Sequence, residues 1–351
     1  MSKIKVGLIG IGNCASAIVQ GIYYYRDKER EEECIGLKHP YLGGYHPRDI
    51  EIVCVFDIAQ GKVGKDLSEA ILAPPNNTLK FAEVPRMGVK VLKGPVLDGV
   101  SEYAKRLIKI DNSAEVDVAK NLKESGAEIV INILPGGSLK ASLRYAEESL
   151  KARCAFVNAT PTLIASDDSW NQRFKKAGVP IVGDDLMDQI GATFLHKALL
   201  ETLNSRGVLV SETYQLDVGG GTESADIERV WGTKRMIKTK SVESVLPYKT
   251  SVVAGSTDFV EFLGNRRDNY FWVSGIYFGG SPFRMDIRFS AIDGPNAGSI
   301  MLDVIRSVKL ALERKESGDI LAISAYAFKH PSKILPLLEA EKLFETYIQQ
   351  K

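Results

Sequence analysis

The sequence is poor in the residues that build metal centres and disulfide frameworks. Its 351 residues include only four cysteines and four histidines. They are scattered, at Cys14, Cys34, Cys54 and Cys154 for the thiols and at His39, His46, His196 and His330 for the imidazoles. This arrangement has neither the short paired spacing of a zinc site nor that of a disulfide scaffold. We therefore expect free thiols in a reducing compartment, and no metal site built from histidine or cysteine.

Charge imbalance and long apolar runs are also missing. The chain carries 45 basic and 44 acidic side chains, a formal net charge of +1, so no overall field attracts nucleic acid or an anionic membrane. No run of about 18 apolar residues suggests a membrane span, and a strand predicted from Lys3 leaves no room for a signal peptide. These absences favour a cytoplasmic protein with a small-molecule partner, without nucleic-acid or membrane partners.

The first half of the chain contains short apolar strands that alternate with amphipathic helices. The predicted strands span residues 3–9, 50–57, 128–134, 155–158 and 180–182. Between them, apolar residues recur every three to four positions, which predicts helices. Repeated strand and helix units of this kind predict an α/β fold with a Rossmann-type, doubly wound parallel sheet.

After Gly207 the pattern changes to alternating β-branched and polar residues. The predicted strands there span residues 208–218, 248–253, 270–278 and 283–292, and indicate an antiparallel or mixed sheet. A long helix from about Ser299 and an amphipathic C-terminal helix are expected to pack back onto the first domain. A chain this long fits two domains. We predict a Rossmann-type domain of residues 1–190 plus 294–351, and an α+β domain of residues 191–293 for catalysis and oligomerisation.

The turn after the first predicted strand has the G-x-G-x-x-A spacing of a dinucleotide-binding site. Its candidate cofactor residues are Gly10, Gly12, Asn13, Cys14 and Ala15. Small residues there let the chain turn tightly and let a pyrophosphate approach a helix N-terminus. Asp57 ends the second strand, where a carboxylate would bind ribose hydroxyls and repel a 2′-phosphate. The combination predicts NAD rather than NADP, and an ordinary glycine turn is the alternative.

A second glycine turn follows the strand that ends near Leu134. Pro135, Gly136 and Ser138 belong to this turn and precede a helix. Their amide groups would face a cofactor bound at the switch point of the sheet. An ordinary turn between a strand and a helix is the alternative interpretation.

Several further segments occur in a fixed order along the chain. They are Gly10-Ile11-Gly12-Asn13-Cys14-Ala15-Ser16, Asn76-Asn77-Thr78, Phe156-Val157-Asn158-Ala159 with Pro161, Ile164-Ala165-Ser166-Asp167, Gly183-Asp184-Asp185, Gly191-Ala192-Thr193, Asp293-Gly294-Pro295-Asn296, and Ser324-Ala325-Tyr326 before Lys329. In this order the sequence resembles the myo-inositol-1-phosphate synthase family, in its shorter bacterial and archaeal form, over nearly its whole length.

The resemblance implies a redox-neutral conversion of glucose 6-phosphate into an inositol phosphate. Tightly held NAD would accept a hydride from C5, the resulting ketone would lose a proton from C6, and C6 would attack the C1 aldehyde before the hydride returns. A homotetramer is also implied. Such chemistry needs cations for a phosphate and for developing oxyanions, and a group that moves protons.

The resemblance also assigns residues to the site. Lys234 and Lys238, four apart and so on one helix face, match a paired-lysine motif of the family. The other matched catalytic residues are Lys329, Asp185 and Asp293. Asp184 is assigned to the cofactor site, and a carboxylate such as Asp185 could also bind a cation beside a phosphate. Without the resemblance, the lysines are typical surface residues and the two aspartates a loop or a helix cap.

Three departures from the family pattern concern the substrate. Met187 and Asp188 stand where the family carries a lysine and a serine, so a phosphate contact is expected to be lost. The loop that passes through Gly221 to residues 222–224 is two residues shorter. Arg267 replaces a lysine, and arginine keeps the charge but shuttles protons poorly.

The departures leave three alternatives to a glucose 6-phosphate cyclase. One is an NAD-dependent sugar-phosphate oxidoreductase, the second a cyclase that acts on a different sugar phosphate, and the third a catalytically silent NAD-binding regulator.

Overall fold

The computed structural model describes residues 3–100, 104–221 and 227–350. Within them, seven parallel strands form the first sheet. They are β1 (Ile4–Ile9), β2 (Ile50–Asp57), β3 (Val91–Lys93), β4 (Ile129–Asn132), β5 (Ala155–Asn158), β6 (Pro180–Gly183) and β11 (Gly318–Asp319). Their order is β11-β6-β5-β4-β1-β2-β3, and every neighbouring pair is parallel. The predicted Rossmann-type sheet is confirmed, because strands 3-2-1-4-5-6 stand in the order of that fold.

The strands of this sheet are apolar because both of its faces are covered by helices. One face packs against α1 (Asn13–Tyr25) and α9 (Asp293–Glu313), through side chains such as Val19 and Ile305. The opposite face carries α4 (Val118–Ser125), α5 (Leu139–Ala152) and α6 (Asp168–Ala177), with Phe156 and Phe174 in its core. Further helices are α2 (Leu67–Ala70), α3 (Ala104–Leu107), α10 (Leu321–Ala327) and α11 (Leu337–Gln349).

The second sheet has four strands and mixed directions. It is formed by β7 (Leu209–Gly219), β8 (Ser251–Phe259), β9 (Arg266–Ile276) and β10 (Pro282–Ile292), in the order β10-β9-β7-β8. The pairs of β9 with β7 and with β10 are antiparallel, whereas β7 and β8 are parallel. A parallel pair needs a crossover, and α8 (Ile227–Glu243) supplies it. Together with α7 (Ala192–Ser205), α8 covers one face of this sheet.

Helix α9 begins at Asp293, six residues before the predicted start at Ser299. The prediction was wrong because Gly294 and Pro295 resemble helix breakers. In the first turn, however, proline loses only an N–H group that has no partner inside the helix. Gly294 is needed there, since a Cβ atom would lie 2.6 Å from Oγ1 of Thr78. The early start makes Asp293 a residue of a helix N-terminus.

The C-terminal segment returns to the first sheet. Strand β11 pairs with β6, and α9 packs against α1 as well as β1, β4 and β6. In the part of the chain that the structure describes, no helix is both long enough and apolar enough to cross a membrane.

Candidate functional site

A cleft of about 1530 Å³ of empty volume opens at the carboxyl ends of the strands of the first sheet. Most of the predicted cofactor residues line it, namely Gly10, Gly12, Asn13, Cys14, Asp57, Pro135, Gly136 and Ser138. Ala15 does not, because its side chain is fully buried in the core beneath α1. The third small residue of such a turn lets helix and strand pack closely, so Ala15 shapes the cleft without lining it.

The first glycine turn places an open helix N-terminus at the cleft. Gly10 has a φ of +87°, in the left-handed region that favours glycine, and its N–H donates to the carbonyl of Phe56 at 2.9 Å. Gly12 is the N-cap of α1, and a Cβ atom there would meet no described atom within 4 Å. Packing of the described residues therefore does not require glycine at position 12, and the space beside it is open.

Asp57, at the end of the neighbouring strand β2, accepts a hydrogen bond from this turn. Its Oδ2 accepts the N–H of Ile11 at 2.7 Å, and its Oδ1 accepts those of Ile58 and Ala59 at 2.7 and 2.8 Å. Each carboxylate oxygen has two lone pairs. The side chain, which lines the cleft, therefore keeps capacity for ligand hydroxyl groups.

Asn13 connects the glycine turn to the Asn76-Asn77-Thr78 segment. Its Oδ1 accepts the N–H groups of Asn77 and Thr78 at 2.9 and 3.1 Å, and its Nδ2 donates to Oδ1 of Asn77 at 2.9 Å. The amide is therefore used to position the segment beside the cleft.

Sequence reasoning missed Lys62 at this cleft. Its Nζ donates to the carbonyl of Ile11 at 2.6 Å and to Oδ1 of Asn76 at 2.7 Å, and burial lowers the pKa of Lys62. A single lysine in a loop carries no spacing signal. Asn76, which belongs to a segment that carried the family resemblance, was the only hint in the sequence.

The structure places Asp184, which the resemblance assigns to the cofactor site, away from the residues that line the cleft. The side chain is fully buried, outside the residues that line the cleft. Its oxygens accept from Nδ2 of Asn158 at 2.6 Å, from the N–H groups of Ile164 and Ala165 at 2.9 and 3.0 Å, and from Oγ of Ser166 at 2.8 Å. Burial raises the pKa of Asp184 to about 6. Asp184 thus fixes the loop after β5, because all of these hydrogen bonds go to residues of the protein itself.

A smaller pocket, largely filled by its own side chains with about 20 Å³ left for a water-sized sphere, adjoins the cleft beside the second sheet. It brings together Lys238, Lys329, Arg267 and Asp293, four of the six predicted catalytic residues. Asp188, Arg267, Asp293 and Lys329 line both cavities. The dinucleotide turn and the predicted catalytic groups are therefore parts of one continuous space.

Each cation of the small pocket is paired with a carboxylate. Arg267 Nη2 lies 2.9 Å from Oδ2 of Asp293, at the N-terminus of α9. Lys238 Nζ lies 2.5 Å from Oδ2 of Asp217. Asp217 was missed by sequence reasoning, because it lies 21 residues away on another element.

Lys329 is paired with Asp185, the fifth predicted catalytic residue. Its Nζ lies 3.0 Å from Oδ1 of Asp185 and 2.5 Å from the carbonyl oxygen of Leu186. Burial alone would lower the pKa of Lys329, but the charges of Asp185 and Asp188 outweigh it and the pKa is raised. The surroundings of Lys329 thus do not give it the lowered pKa that suits a proton shuttle. Lys329 stays charged in this arrangement.

Lys234 lies apart from the other cations. It precedes Lys238 by four residues on α8, as the spacing predicted, but lines the cleft and not the small pocket. A Cβ atom at Gly136 would lie 2.7 Å from Cε and 3.3 Å from Nζ of Lys234. Glycine at position 136 therefore allows this lysine to approach the second glycine turn.

Comparison with known proteins identifies the family. The family model described as myo-inositol-1-phosphate synthase matches residues 191–294. The chain is 40% identical over 356 residues to the inositol-3-phosphate synthase of Mycolicibacterium smegmatis, which covers 99% of this chain and 98% of that protein. The match to the enzyme of the same name from Corynebacterium glutamicum is 39% over 358 residues, with the same coverage. This chain belongs to the myo-inositol-1-phosphate synthase family. The resemblance found in the sequence is confirmed.

Solved structures agree with this family fold. The structure of Ari2 is 31% identical, covers 99% of this chain and 98% of its own, and has a TM-score of 0.80. The inositol-3-phosphate synthase of Caenorhabditis elegans is 14% identical, covers 99% and 85%, and has a TM-score of 0.78, which is a likeness of fold alone.

The first departure from the family pattern, at Met187 and Asp188, lies next to the site. Met187 is buried and belongs to the wall of a separate pocket rather than to the small pocket. Asp188 is partly buried and lines the cleft and both pockets. Burial, opposed by the charge of Lys329, raises the pKa of Asp188. The second departure, the loop after Gly221 at residues 222–224, lies outside the residues that the structure describes. The third, Arg267, lines both the cleft and the small pocket.

Carboxylates cluster here without forming a metal centre. Oδ2 of Asp185 is buried and has no hydrogen-bond partner among the described atoms. Within the described ranges, no three His, Cys, Asp or Glu side chains are grouped so that they could hold a metal ion.

Proposed function

We propose that this chain cyclises glucose 6-phosphate to an inositol phosphate, with NAD that is reduced and reoxidised in the same turnover. The observation that carries the proposal is the continuity of the two cavities through Asp188, Arg267, Asp293 and Lys329. A substrate in the small pocket would meet a cofactor in the cleft. The relatives named inositol-3-phosphate synthase support an isomerase rather than a net oxidoreductase.

NAD is the cofactor proposed for the cleft. Its pyrophosphate would lie against the N-terminus of α1 at Gly12, where a Cβ atom would fill otherwise open space. Asp57 would accept the ribose hydroxyls, and its charge disfavours the 2′-phosphate of NADP. Pro135, Gly136 and Ser138 line the same cleft. When bound, NAD supplies the hydride acceptor that later returns the hydride.

We propose that side chains around the small pocket stabilise the negative charge that develops on the substrate and accept its proton. Oxidation at C5 would make a ketone, the hydroxyl proton leaving to solvent and returning with the hydride, and loss of a proton from C6 would then make an enolate whose oxygen needs a nearby cation. The C6 proton would go to Oδ2 of Asp185, which has no hydrogen-bond partner among the described atoms, and from there to the C1 oxygen as the ring closes. Lys329, held charged by Asp185, would donate a hydrogen bond to that oxygen. Arg267 would add a fixed positive charge, since a guanidinium group keeps its proton and shuttles protons poorly.

The lysines of α8 are proposed to have different partners. Lys238, held by Asp217, would bind the substrate in the small pocket. Lys234 lies beside Gly136 in the cleft, and would act where substrate and nicotinamide meet.

The phosphoryl group is proposed to lie at the N-terminus of α7. Gly191 is the N-cap of this helix, and Gly191, Ala192 and Thr193 line the small pocket together with Lys238 and Arg267. Exposed amide groups at a helix N-terminus, next to basic side chains, favour a phosphate.

The test is product analysis with purified protein, NAD and glucose 6-phosphate. The proposal predicts an inositol phosphate, identified by NMR, without a net rise in NADH absorbance. A sugar-phosphate dehydrogenase would accumulate NADH, a cyclase for another substrate would leave glucose 6-phosphate untouched but convert a different sugar phosphate, and a silent regulator would bind NAD and consume no hexose or pentose phosphate.

We also propose the division into residues 1–190 plus 294–351 and residues 191–293. It is supported by the two separate sheets and by the return of β11 to the first of them. The free state of all four cysteines supports the proposed cytoplasmic location.

A homotetramer is proposed on the basis of the second sheet. The face opposite α7 and α8 carries exposed apolar side chains, namely Tyr214, Leu216, Val253 and Tyr270. A contiguous apolar patch on a sheet is typical of a protein interface.

A further inference from the structure

Asp188 lies where the N-terminus of α7 meets the cations of the small pocket. A Cβ atom at Gly191, the N-cap of α7, would lie 2.9 Å from Oδ2 and 2.7 Å from Cβ of Asp188. The carboxylate is therefore directly beside the amide groups proposed to bind the phosphoryl group. A helix N-terminus favours an anion, and the carboxylate of Asp188 lies at this one.

The charged groups that face Asp188 come from several elements. Lys329 follows α10, Asp293 begins α9, Arg267 lies in β9, and Asp185 lies in the loop of Asp188 itself. The other charged residues of the small pocket are Lys238 and Asp217. Those of the neighbouring pocket, on the far side of Asp188, are Lys38, Glu201, Asp303 and Glu341.

These charges leave no surplus of positive charge for a phosphate. Lysines 238 and 329 and Arg267 supply three cations of the pocket lining, and the carboxylates of residues 188, 217 and 293 are three. With all of them ionised, these charges cancel. A phosphate dianion would therefore make the site negative, unless one carboxylate became neutral.

We propose that Asp188 is a specificity-determining residue, and that the phosphorylated substrate binds with uptake of one proton by its carboxylate. This inference rests on the proposed function. The ionised carboxylate repels the phosphoryl group, whereas the neutral acid donates its O–H to a phosphoryl oxygen. The proton comes from solvent and is released when the ligand leaves. Burial has already raised the pKa of the Asp188 carboxyl to about 6.

The expected signature is a pH-dependent affinity. The dissociation constant of glucose 6-phosphate should increase roughly tenfold per pH unit above about pH 6, because one proton is bound with the ligand. At about pH 8 the phosphate ester is already a dianion, with a second pKa near 6. A proton taken up on binding at about pH 8 therefore goes to the protein and not to the phosphate ester.

The experiment is calorimetric titration of the NAD-loaded protein with glucose 6-phosphate at about pH 8, in two buffers of different ionisation enthalpy. The wild-type protein should take up about one proton per ligand. Asp188→Ser and Asp188→Asn should take up almost none, and should bind about 10- to 100-fold more tightly. Two substitutions are used so that a folding defect in one does not decide the result.

Asp117→Asn is the matched control. Asp117 also lies at a helix N-terminus, where its Oδ1 accepts the N–H of Lys120 at 2.9 Å, but it does not line the small pocket. The control should keep the proton uptake of the wild-type protein. Binding without proton uptake in the wild-type protein, or unchanged uptake in Asp188→Asn, would overturn the proposal.

Other outcomes separate this inference from the proposed function. Proton-linked binding without an inositol phosphate product would refute the function and leave the role of Asp188 intact. Binding by Asp188→Ser alone would overturn the proposed proton uptake, since the wild-type protein would then not bind the phosphate with a proton and Asp188→Asn would not bind more tightly. Failure of the wild-type protein and both variants to bind would overturn the inference.

Discussion

The ammonium group of Lys238 lies 2.5 Å from Oδ2 of Asp217, and only 6% and 1% of the two side chains are exposed. Nε2 of Gln215 donates to both oxygens of Asp217 at 2.9 Å. The carbonyl oxygen of Gln215 therefore faces Nδ1 of His196, 3.2 Å away. Burial lowers the pKa of His196 to about 4, so the ring is neutral and donates through Nδ1. The chain of hydrogen bonds fixes the position of Lys238.

Removal of one partner from this pair should destabilise the protein strongly. Lys238→Met leaves the Asp217 carboxylate buried without its cation, and should lower the free energy of unfolding by about 3–5 kcal/mol. The double variant with Asp217→Leu should recover most of the loss, because no charge then stays buried. Urea unfolding of the wild-type protein and the variants measures both effects.

The control for this cycle is the exposed pair Lys120 and Glu124, with side chains 66% and 63% exposed. Lys120→Met should change the free energy of unfolding by less than about 0.5 kcal/mol. If Lys238→Met had an equally small effect, the buried pair would not contribute as argued.

Gly12→Ala should weaken NAD binding without loss of fold stability. Its Cβ would meet no described atom within 4 Å and the φ of −86° suits alanine, so the free energy of unfolding should fall by less than about 1 kcal/mol. The methyl group would project towards the pyrophosphate, and the NAD dissociation constant should rise at least about tenfold, which is 1.4 kcal/mol. Calorimetry and urea unfolding separate the two effects.

Gly10→Ala is the contrasting variant in the same turn. The φ of Gly10 is +87° and its Cβ would lie 3.2 Å from the carbonyl oxygen of Ile133. A side chain in that conformation costs about 1–2 kcal/mol of fold stability. Equal destabilisation by the two substitutions would argue against a ligand as the reason for glycine at position 12.

Lys329→Ala should reduce product formation about 10²- to 10⁴-fold while NAD still binds. The raised pKa of Lys329 keeps its ammonium group charged at neutral pH, and the variant lacks this donor for the substrate oxygen. Product is measured by NMR and NAD affinity by calorimetry. Lys333→Ala, which changes an exposed lysine of the same segment, should keep full activity. Undiminished turnover of Lys329→Ala would refute the role proposed for this residue.

The parallel sheet and the dinucleotide turn could be predicted because their signals are local. A strand buried on both faces is a short apolar run, and the turn after β1 needs small residues at fixed spacing. The start of α9 was missed because residues that break helices elsewhere are tolerated in a first turn. The position of Asp184 could not be predicted for a similar reason, since an aspartate after a strand can bind a ligand or hold a loop, and the burial of Asp184 favours the second.

The ion pairs of the small pocket could not be predicted, because their members are distant in sequence. Lys329 and Asp185 are 144 residues apart, and Lys238 and Asp217 belong to different elements. The family resemblance named three of these four residues, but not the carboxylate that holds Lys238. The resemblance also implied a group that moves protons, whereas the nearby carboxylates raise the pKa of Lys329 and keep it charged.

His39 should make the stability of the protein depend on pH. Its Nδ1 lies 2.7 Å from Oδ2 of Asp303 in α9, and its Nε2 lies 3.0 Å from Oε1 of Glu345 in α11. Burial lowers the pKa of His39, but the two carboxylates outweigh it and the pKa is raised. Because the folded state then binds the proton more tightly, the stabilisation is complete below about pH 6.5 and is lost as the pH rises through the folded pKa.

Thermal unfolding of His39→Gln and of the wild-type protein, at several pH values above about 6.5, measures this contribution. The difference in midpoint between the two proteins should shrink as the pH rises. His46→Gln is the control, since burial lowers the pKa of His46 and that ring is neutral throughout this range. A difference that stays constant for His39→Gln would rule out its protonation as the cause.

The exposed face of the second sheet should decide the oligomeric state. Tyr214 stacks on Trp272 with ring centroids 5.6 Å apart, and Leu216 pairs with Tyr270 on the neighbouring strand. Tyr214 and Leu216 are 38% and 36% exposed, a large apolar area for a free surface. Leu216→Asp would place a charge in the proposed interface and should dissociate the assembly.

Light scattering after size-exclusion chromatography measures the masses. The wild-type protein should have four times the chain mass of 38.5 kDa, and Leu216→Asp a smaller multiple of it. Phe278→Asp, which changes a side chain 92% exposed at the turn between β9 and β10, should keep the mass of the wild-type protein, because it lies outside the patch. A tetramer that persists in Leu216→Asp and dissociates in Phe278→Asp would locate the interface at the end of the sheet rather than on its face.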